Sequence, residues 1–531
     1  MRKTKGRHVP RRARSIATFT VAASAIPLLG AVPTASAKAF PTHPFVPGSV
    51  VVASSEYPAQ GDRNIQLGQP LPSGTPAVSD GKYPEVFNND GPDGSFAVAT
   101  PVDLWDLTPS GDQLSQTKVP SDQVTTSFSS KSELSINFST NGQDLSFLGY
   151  NAAPDALDSS NSNTPGVPDP TNPDTQGPYY RVAANLGAGG NWTFTDSNAY
   201  SGDNGRAVEL DNSSGVFYAA GNANNGNAAT GSPLLAELAA TGGAQVFAPS
   251  DEPQSQQTPG FPTQLGSFSI TSVPGNTKPD KLGKDTNFRG LTVYNGVVYE
   301  TKGSGSNGIN TVYYVNTSGV PCPNGQDLPV AGQPLPTIAG SPYPMCILKG
   351  FNTTIAKKTT DVFPFGIWFA NPTTLYVADE GDGVLTSDAN PYDDAASQTK
   401  AGLQKWTLNT TTQSWQYDYT LQAGLNLGQP YTVPAYPTGT NSVTGGPWAP
   451  ATDGLRNISG QVNPDGTATI YAATSTVSGS GDQGADPNEV VKITDDPGAT
   501  TPGSESFTTI AGPKNRVVYR GVAAVPANYG S

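Results

Sequence analysis

Between Leu291 and Tyr299 the chain passes from one short β-rich run to another across Asn295-Gly296. Two such runs joined by Asn-Gly are the strongest short-range hairpin signal a sequence offers, because both turn residues accept the positive φ of a tight hairpin. The same figure recurs at 205–221 (GRAVELDNSSGVFYAAG), 365–383 (FGIWFANPTTLYVADEGDG) and 454–474 (GLRNISGQVNPDGTATIYAAT). A hairpin repeated at intervals of roughly 70 to 90 residues restricts the chain to architectures built from repeated sheets.

Each hairpin is followed by a variable polar stretch and two more β-rich runs, which makes four strands per unit, A to D from the centre outward. After 289–303 come Val312–Asn316 and Cys346–Phe351; after 365–379, Gly402–Leu408 and Ser414–Leu421; after 454–474, Glu489–Thr494 and Glu505–Ile510. Upstream, Glu133–Tyr150 turns on Asn141-Gly142 and is followed by Tyr179–Asn185 and Trp192–Thr195. The unit at 206–220 continues with a C strand predicted near Leu234–Ala239 and a D strand at Gly266–Thr271. The ends are complementary. Arg520-Gly521-Val522 resembles Arg289-Gly290-Leu291 with nothing after it, and Ser49–Ser54 reads as a B strand with no A before it, followed by Val102–Leu107 and Leu114–Val119. A last strand that completes the first sheet suits a closed ring, which leaves only short protected edges, whereas an open stack needs caps. The expectation is an all-β chain forming a single β-propeller, six blades of four antiparallel strands, or seven if one is hidden within 151–272.

Composition agrees. With 59 Gly and 49 Pro the chain is turn-rich, and the nearest thing to a helical pattern, Leu234–Ala240, is too short to stand on periodicity. Arg2, Lys3, Lys5, Arg7, Arg11, Arg12 and Arg14 precede an apolar run from Ile16 to about Val32 and then Ala35-Ser36-Ala37, the order of a secretory signal peptide cut after Ala37. Arg11-Arg12 keeps twin-arginine export open beside the general route. The expected organisation is therefore a signal peptide at 1–37, a Pro-rich lead-in at 38–48 and the propeller at 49–531, secreted to the extracellular side, with no further segment able to span a bilayer.

The whole chain has 29 Lys and Arg against 43 Asp and Glu; the leader carries seven of the basic residues and no acidic one, which leaves 22 against 43 and a formal charge of −21. Such an excess disfavours nucleic acid and anionic membrane surfaces as partners. Cys322 and Cys346 are the only cysteines, and in an oxidising compartment one disulfide is the default. Once His8 leaves with the leader, His43 is the only histidine, so Ser-His-Asp and Cys-His catalysis and histidine-rich zinc sites lack their parts.

The stretches 127–142 (SFSSKSELSINFSTNG), 201–210 (SGDNGRAVEL), 301–313 (TKGSGSNGINTVY), 364–383 (PFGIWFANPTTLYVADEGDG), 401–406 (AGLQKW), 451–458 (ATDGLRNI) and 505–510 (ESFTTI) resemble those of a group of exported bacterial β-propeller proteins of unassigned function. The similarity spans nearly all of the mature chain. It implies a single propeller domain and export, and it brings no catalytic residue with it.

In a propeller the start of each A strand marks the rim of the central channel, and those starts are Arg206, Arg289, Arg456 and Arg520, with Lys131 nearby in the remaining upstream unit and Phe365 in the sixth. Two readings of these cations stay open. Converging guanidinium groups present forked donors to a carboxylate or phosphate; alternatively each Arg ties its blade to a neighbouring carboxylate. The long B–C connections on the same face, among them Lys302–Asn310, 221–231, 379–400 and 475–488, are the usual place for binding residues. Within them Lys302 joins the candidate ligand residues. Asp379, Glu380 and Asp382 are hard oxygen donors at close spacing, candidates for Ca²⁺ or Mg²⁺. The turn at 88–94 is a weaker candidate of the same kind.

The leading expectation is a binding site for a small anionic or polyhydroxylated ligand at an Arg-rimmed channel mouth. The alternatives are a metal-assisted extracellular hydrolase (an esterase, lactonase or phosphodiesterase) with Asp379, Glu380 and Asp382 on the ion and Arg289 or Arg456 on developing negative charge, and a scaffold that binds a protein partner on the broad face.

Overall fold

The structure, a computed structural model, describes residues 43–59, 63–69, 76–77, 83–84, 96–169, 178–224, 233–252, 264–278, 285–303, 307–330, 343–357, 361–386 and 389–531. The expected signal peptide and the turn at 88–94 lie outside these residues.

In chain order the first strands are β1 (Val50–Glu56), β2 (Ala99–Thr100), β3 (Val102–Leu107), β4 (Gln113–Lys118) and β5 (Thr126–Ser127). Next come β6 (Asn137–Phe138), β7 (Asp144–Tyr150), β8 (Arg181–Gly187), β9 (Trp192–Ser197), β10 (Gly205–Asp211), β11 (Val216–Gly221), β12 (Ala244–Phe247) and β13 (Gln264–Ser267). The middle of the chain supplies β14 (Leu291–Tyr294), β15 (Val297–Lys302), β16 (Thr311–Val315), β17 (Gln326–Asp327) and β18 (Tyr343–Leu348). The last third supplies β19 (Pro364–Asn371), β20 (Thr374–Asp379), β21 (Gly402–Asn409), β22 (Ser414–Leu421), β23 (Ala451–Val462), β24 (Ala468–Val477), β25 (Val490–Asp495), β26 (Thr508–Ala511) and β27 (Val517–Ala524).

These strands form an all-β propeller. Four sheets have the orders β27-β1-β3-β4, β6-β7-β8-β9, β19-β20-β21-β22 and β23-β24-β25-β26. A nine-stranded sheet holds two more such sets, β10-β11-β12-β13 and β14-β15-β16-β18, joined where β13 lies parallel to β18 with Gly266 beside Tyr343 and Ser267 beside Pro344. The described residues thus contain six four-stranded sets, referred to below as blades 1 to 6 from the set that contains β1. Blade 1 closes as the two chain ends predict: β27 pairs antiparallel with β1, Val50 opposite Ala524 and Val52 opposite Val522. The lead-in helps to hold this closure, since Phe45 is buried against Phe138 and Tyr529 and the His43 ring bonds to the Ala188 carbonyl through Nδ1 at 3.0 Å.

One strand is misplaced by the sequence reading. Pro233–Ala240 is helix α1, and the C strand of blade 3 is β12, which pairs with β11. Leu, Ala and Glu are strong helix formers, Pro is well placed in a first turn, and the segment lacks the β-branched residues that fit a pleated surface. A second short helix, α2 (Asp393–Ser397), lies within the B–C connection of blade 5.

Aromatic residues of inner and outer strands fill the space between blades 4 and 5. Tyr294 stacks on Phe369 at 4.5 Å between ring centres, Tyr299 lies 4.7 Å from the same ring, and Trp415 packs edge-on against it at 5.9 Å. Cys322 and Cys346 form a disulfide that fastens the C–D connection of blade 4 to β18. Among the described residues no helix is long and apolar enough to cross a membrane.

Candidate functional site

A ring of backbone contacts among the innermost strands explains why Gly follows the rim residue at Arg289, Phe365 and Arg520. A Cβ on Gly366 would stand 2.6 Å from the Arg456 carbonyl, one on Gly521 would stand 2.5 Å from the Leu134 carbonyl, and one on Gly290 would collide with the Phe365 carbonyl. At two further junctions the contact is a hydrogen bond: Ser135 N–H donates to the Arg206 carbonyl at 3.1 Å, and Asn457 Nδ2 donates to the Arg520 carbonyl at 2.9 Å. Around the ring the matching positions are therefore Arg520, Leu134, Arg206, Arg289, Phe365 and Arg456. Between blades 3 and 4 the link is made by the side chain, with Arg206 Nη1 donating to the Phe288 carbonyl at 2.7 Å. At Gly290, Gly366 and Gly521 the inner strands approach so closely that a Cβ after the rim residue would collide, Asn457 instead hydrogen-bonds its neighbour, and Ala207 is accommodated where Arg206 itself makes the link. In blade 2 the rim position is Leu134, at φ 62°, and Lys131 lies three residues earlier.

The four arginines are all buried, yet they are held in different ways. Arg456 Nε lies 3.4 Å from Glu380 Oε2 in the neighbouring blade, and both of its terminal nitrogens donate to the Gln483 carbonyl at 3.3 Å. Arg520 donates to two backbone carbonyls, Gly484 at 2.8 Å and Phe128, while its Nη1 is buried without a partner. Arg206 Nε donates to Asn204 Oδ1 at 2.8 Å, Nη1 to Asn287 and Phe288, and its Nη2 stands 3.9 Å from Asp203. Arg289 differs from all three. Its guanidinium makes no hydrogen bond or ion pair with any described residue, its Nε is buried and unpartnered, and its one aromatic contact is the Phe365 ring, 5.8 Å away. The residue is only 5 % exposed.

Arg289 starts the innermost strand of blade 4, where the following Gly290 packs against the Phe365 carbonyl of the next inner strand. It interacts electrostatically with Arg206, Glu380, Asp203 and Arg456, and Arg289 in blade 4 and Arg456 in blade 6 are two blades apart, so the space they share is the channel. Burial, with Arg206 beside it, pulls the Arg289 guanidinium down to about 9, still charged at neutral pH. Lys131 completes the mouth: its Nζ lies 3.2 Å from Glu380 Oε2 and donates to Gln483 Oε1 at 3.0 Å. Lys131 leads into blade 2, but its backbone lies against Gly484 in the B–C connection of blade 6, beside the turn of blade 5 that carries Glu380, so this bridge ties the lead into blade 2 to the neighbouring rim. Burial pushes the Glu380 carboxyl up, but Lys131, Arg289 and Arg456 together pull it below the usual range. Its Oε2 takes both ion pairs, and its Oε1 is buried with no partner.

The three carboxylates considered for a metal do not act together. Asp379 accepts from Phe363 N–H at 2.7 Å, Gly381 N–H at 3.1 Å and Gln404 Nε2 at 2.9 Å, which shapes the turn after β20. Asp382 accepts from Val384 N–H at 3.0 Å and Gln398 Nε2 at 3.2 Å, and Glu380 faces Lys131 and Arg456. Among the described residues no three Asp, Glu, His or Cys side chains are grouped to hold a metal ion, so this donor set does not fit Ca²⁺ or Mg²⁺. Burial raises the Asp379 carboxyl to about 8 and that of nearby Asp453 to about 7, which thins the negative charge at the mouth near neutral pH.

Lys302, also expected at the site, is buried at the end of β15 and donates to Asn310 Oδ1 at 3.1 Å; it braces the start of its B–C connection, of which 304–306 lie outside the described residues. The connection at 221–231 is described only to 224. Gln483 was not singled out from the sequence, although it links Lys131, Arg456 and, through Nε2, the Gly383 carbonyl at 2.6 Å. It also lines a cleft of about 410 Å³ between the B–C connections of blades 5 and 6 and the segment that joins the two blades, with Gly383, Leu385, Thr444 and Val477. No protein-family model matches the chain, and no curated protein matches it in sequence.

Proposed function

We propose that the protein is an exported propeller that binds a small anionic or polyhydroxylated ligand at the channel mouth, with Arg289 as the principal donor. The observation that carries this reading is the Arg289 guanidinium, nine-tenths buried and without a hydrogen-bond or ion-pair partner among the described residues. A guanidinium offers five donors in a planar fork, and leaving them unmade in a buried setting is costly unless something else takes them. Arg206, Arg456 and Lys131 add positive charge around it, and the acidic remainder of the chain argues against nucleic acid as the anion. Export is supported by the order of the N-terminal segments and by the Cys322–Cys346 disulfide.

The reading is tested by thermal unfolding of the full chain in acetate, phosphate or sulfate at constant ionic strength, in parent and Arg289→Met forms. A ligand at one hundred times its Kd stabilises the folded state by about 2.7 kcal/mol, so at least one anion is expected to raise Tm by several degrees in the parent and to do nothing for the variant. Equal shifts in both proteins would remove Arg289 from the site.

A further inference from the structure

The mouth contains more than a cation without a partner. Glu380 Oε1 is also buried and unpartnered, on the carboxylate whose other oxygen bridges Lys131 and Arg456. Glu380 and Arg289 lie within electrostatic reach of each other, yet they form no ion pair with each other. The protein thus leaves one set of charged donors and one charged acceptor unmade within electrostatic reach of each other. A plain anion satisfies the first and is repelled by the second. A neutral polyol satisfies the second and leaves the guanidinium bare.

We propose that the ligand is a hydroxycarboxylate, a small carboxylate with a hydroxyl on a neighbouring carbon, whose carboxylate lies on Arg289 and whose hydroxyl donates to Glu380. This rests on the reading of the channel mouth as a small-anion site and narrows it to a class. The choice of hydroxyl over ammonium follows from charge. Lys131, Arg206, Arg289 and Arg456 surround the site, against Glu380 and Asp203 among the carboxylates that act on Arg289. An α-amino acid would bring a second full positive charge into this surplus, whereas a hydroxyl supplies the same donor without it. Aldonic acids and short α-hydroxy acids share the required chemistry. Hydrogen bonds with one ionised partner are roughly twice as strong as neutral ones, so both halves of the ligand contribute to discrimination.

The test is a calorimetric comparison on the full chain of four probes: acetate, L-lactate, D-gluconate and glycine, with Arg289→Met and Glu380→Gln beside the parent. Lactate or gluconate is expected to bind at least tenfold more tightly than acetate, and glycine more weakly than either. Arg289→Met is expected to lose all of them, and Glu380→Gln to keep acetate while bringing the hydroxy acid to the acetate level. If Glu380→Gln does not fold, the ranking in the parent alone still decides. Acetate equal to both hydroxy acids would overturn the class and leave the anion site standing; glycine tighter than lactate would overturn the choice of hydroxyl; and no binding of any carboxylate, phosphate or sulfate would remove the anion site itself.

Discussion

Two buried charge clusters in this molecule use similar side chains to different ends. Between blades 5 and 6, Lys405 and Asp495 form an ion pair at 3.1 Å, both side chains fully buried. The ammonium also donates to Tyr419 Oη at 3.0 Å, to the Ala499 carbonyl at 2.7 Å and to the Asp496 carbonyl, while Asp495 accepts from Tyr419 Oη at 2.8 Å and from Tyr376 Oη. Every charged group there has its partners, and the cluster links two blades. At the channel mouth only part of the set is satisfied: Arg456 and Lys131 share Glu380 Oε2, whereas Arg289 and Glu380 Oε1 stay open. Burial of charge is therefore not in itself the mark of a site. A saturated network holds the fold together, and a network with matching donors and acceptors left over is prepared for something that is not part of the chain.

The largest effect is expected where saturation is broken. Lys405→Met leaves Asp495 buried without its cation, a change that costs about 3–5 kcal/mol in comparable pairs. Urea unfolding should show that loss without any change in anion binding, and the double variant Lys405→Met/Asp495→Leu should recover most of it. A loss below about 1 kcal/mol in the single variant would mean that saturation is not what separates the two clusters.

A buried acid outside both clusters sharpens the contrast. Glu300 in β15 is fully buried, both of its oxygens lack a partner, and burial alone raises its carboxyl well above the ordinary 4.5. Folded Glu300 keeps a proton that the unfolded chain releases. Its effect on stability is therefore absent below about pH 4.5 and grows as pH rises from there toward the folded value, with a slope of about 1.4 kcal/mol per pH unit for one proton. Glu300→Gln removes that penalty: parent and variant should melt alike near pH 4, and the variant should be the more stable by an increasing margin from pH 5 to 8. A constant difference across that range would mean that Glu300 is ionised in the folded protein. Unlike Glu380, it has no cation acting on it among the described residues, which is why it belongs to neither kind of cluster.

The sequence carries local rules well and long-range partners poorly. Asn295-Gly296 and Asn141-Gly142 mark hairpins because turn chemistry is local, and the unmatched strands at 49–54 and 520–522 reveal ring closure because each lacks a neighbour. Arg289-Gly290 and Arg520-Gly521 mark the axis because only Gly admits the next strand so closely. What each Arg touches is not written near it. Arg456 and Lys131 meet on Glu380 from positions 76 and 249 residues away in sequence, so Asp379, Glu380 and Asp382 read locally as a metal loop. Helix α1 was missed as a helix for the opposite reason: its residues favour one, but eight residues give too little periodicity to overrule the surrounding strand pattern.

The smallest expected effect is the most diagnostic. Arg289→Met removes a buried cation that forms no ion pair or hydrogen bond, from beside Arg206 and Arg456, which repel it. The methylene stem and the contact with the Phe365 ring are largely kept by Met. Unfolding free energy without added ligand should therefore change by no more than about 1 kcal/mol, within the range of substitutions that break no partnered contact, and relief of repulsion favours a gain over a loss. Lys405→Met, an apolar replacement for another buried cation, is expected to cost several times as much. If instead Arg289→Met destabilises the protein as much as Lys405→Met does, Arg289 is holding the inner strands together, and the open valences at the mouth are part of the frame.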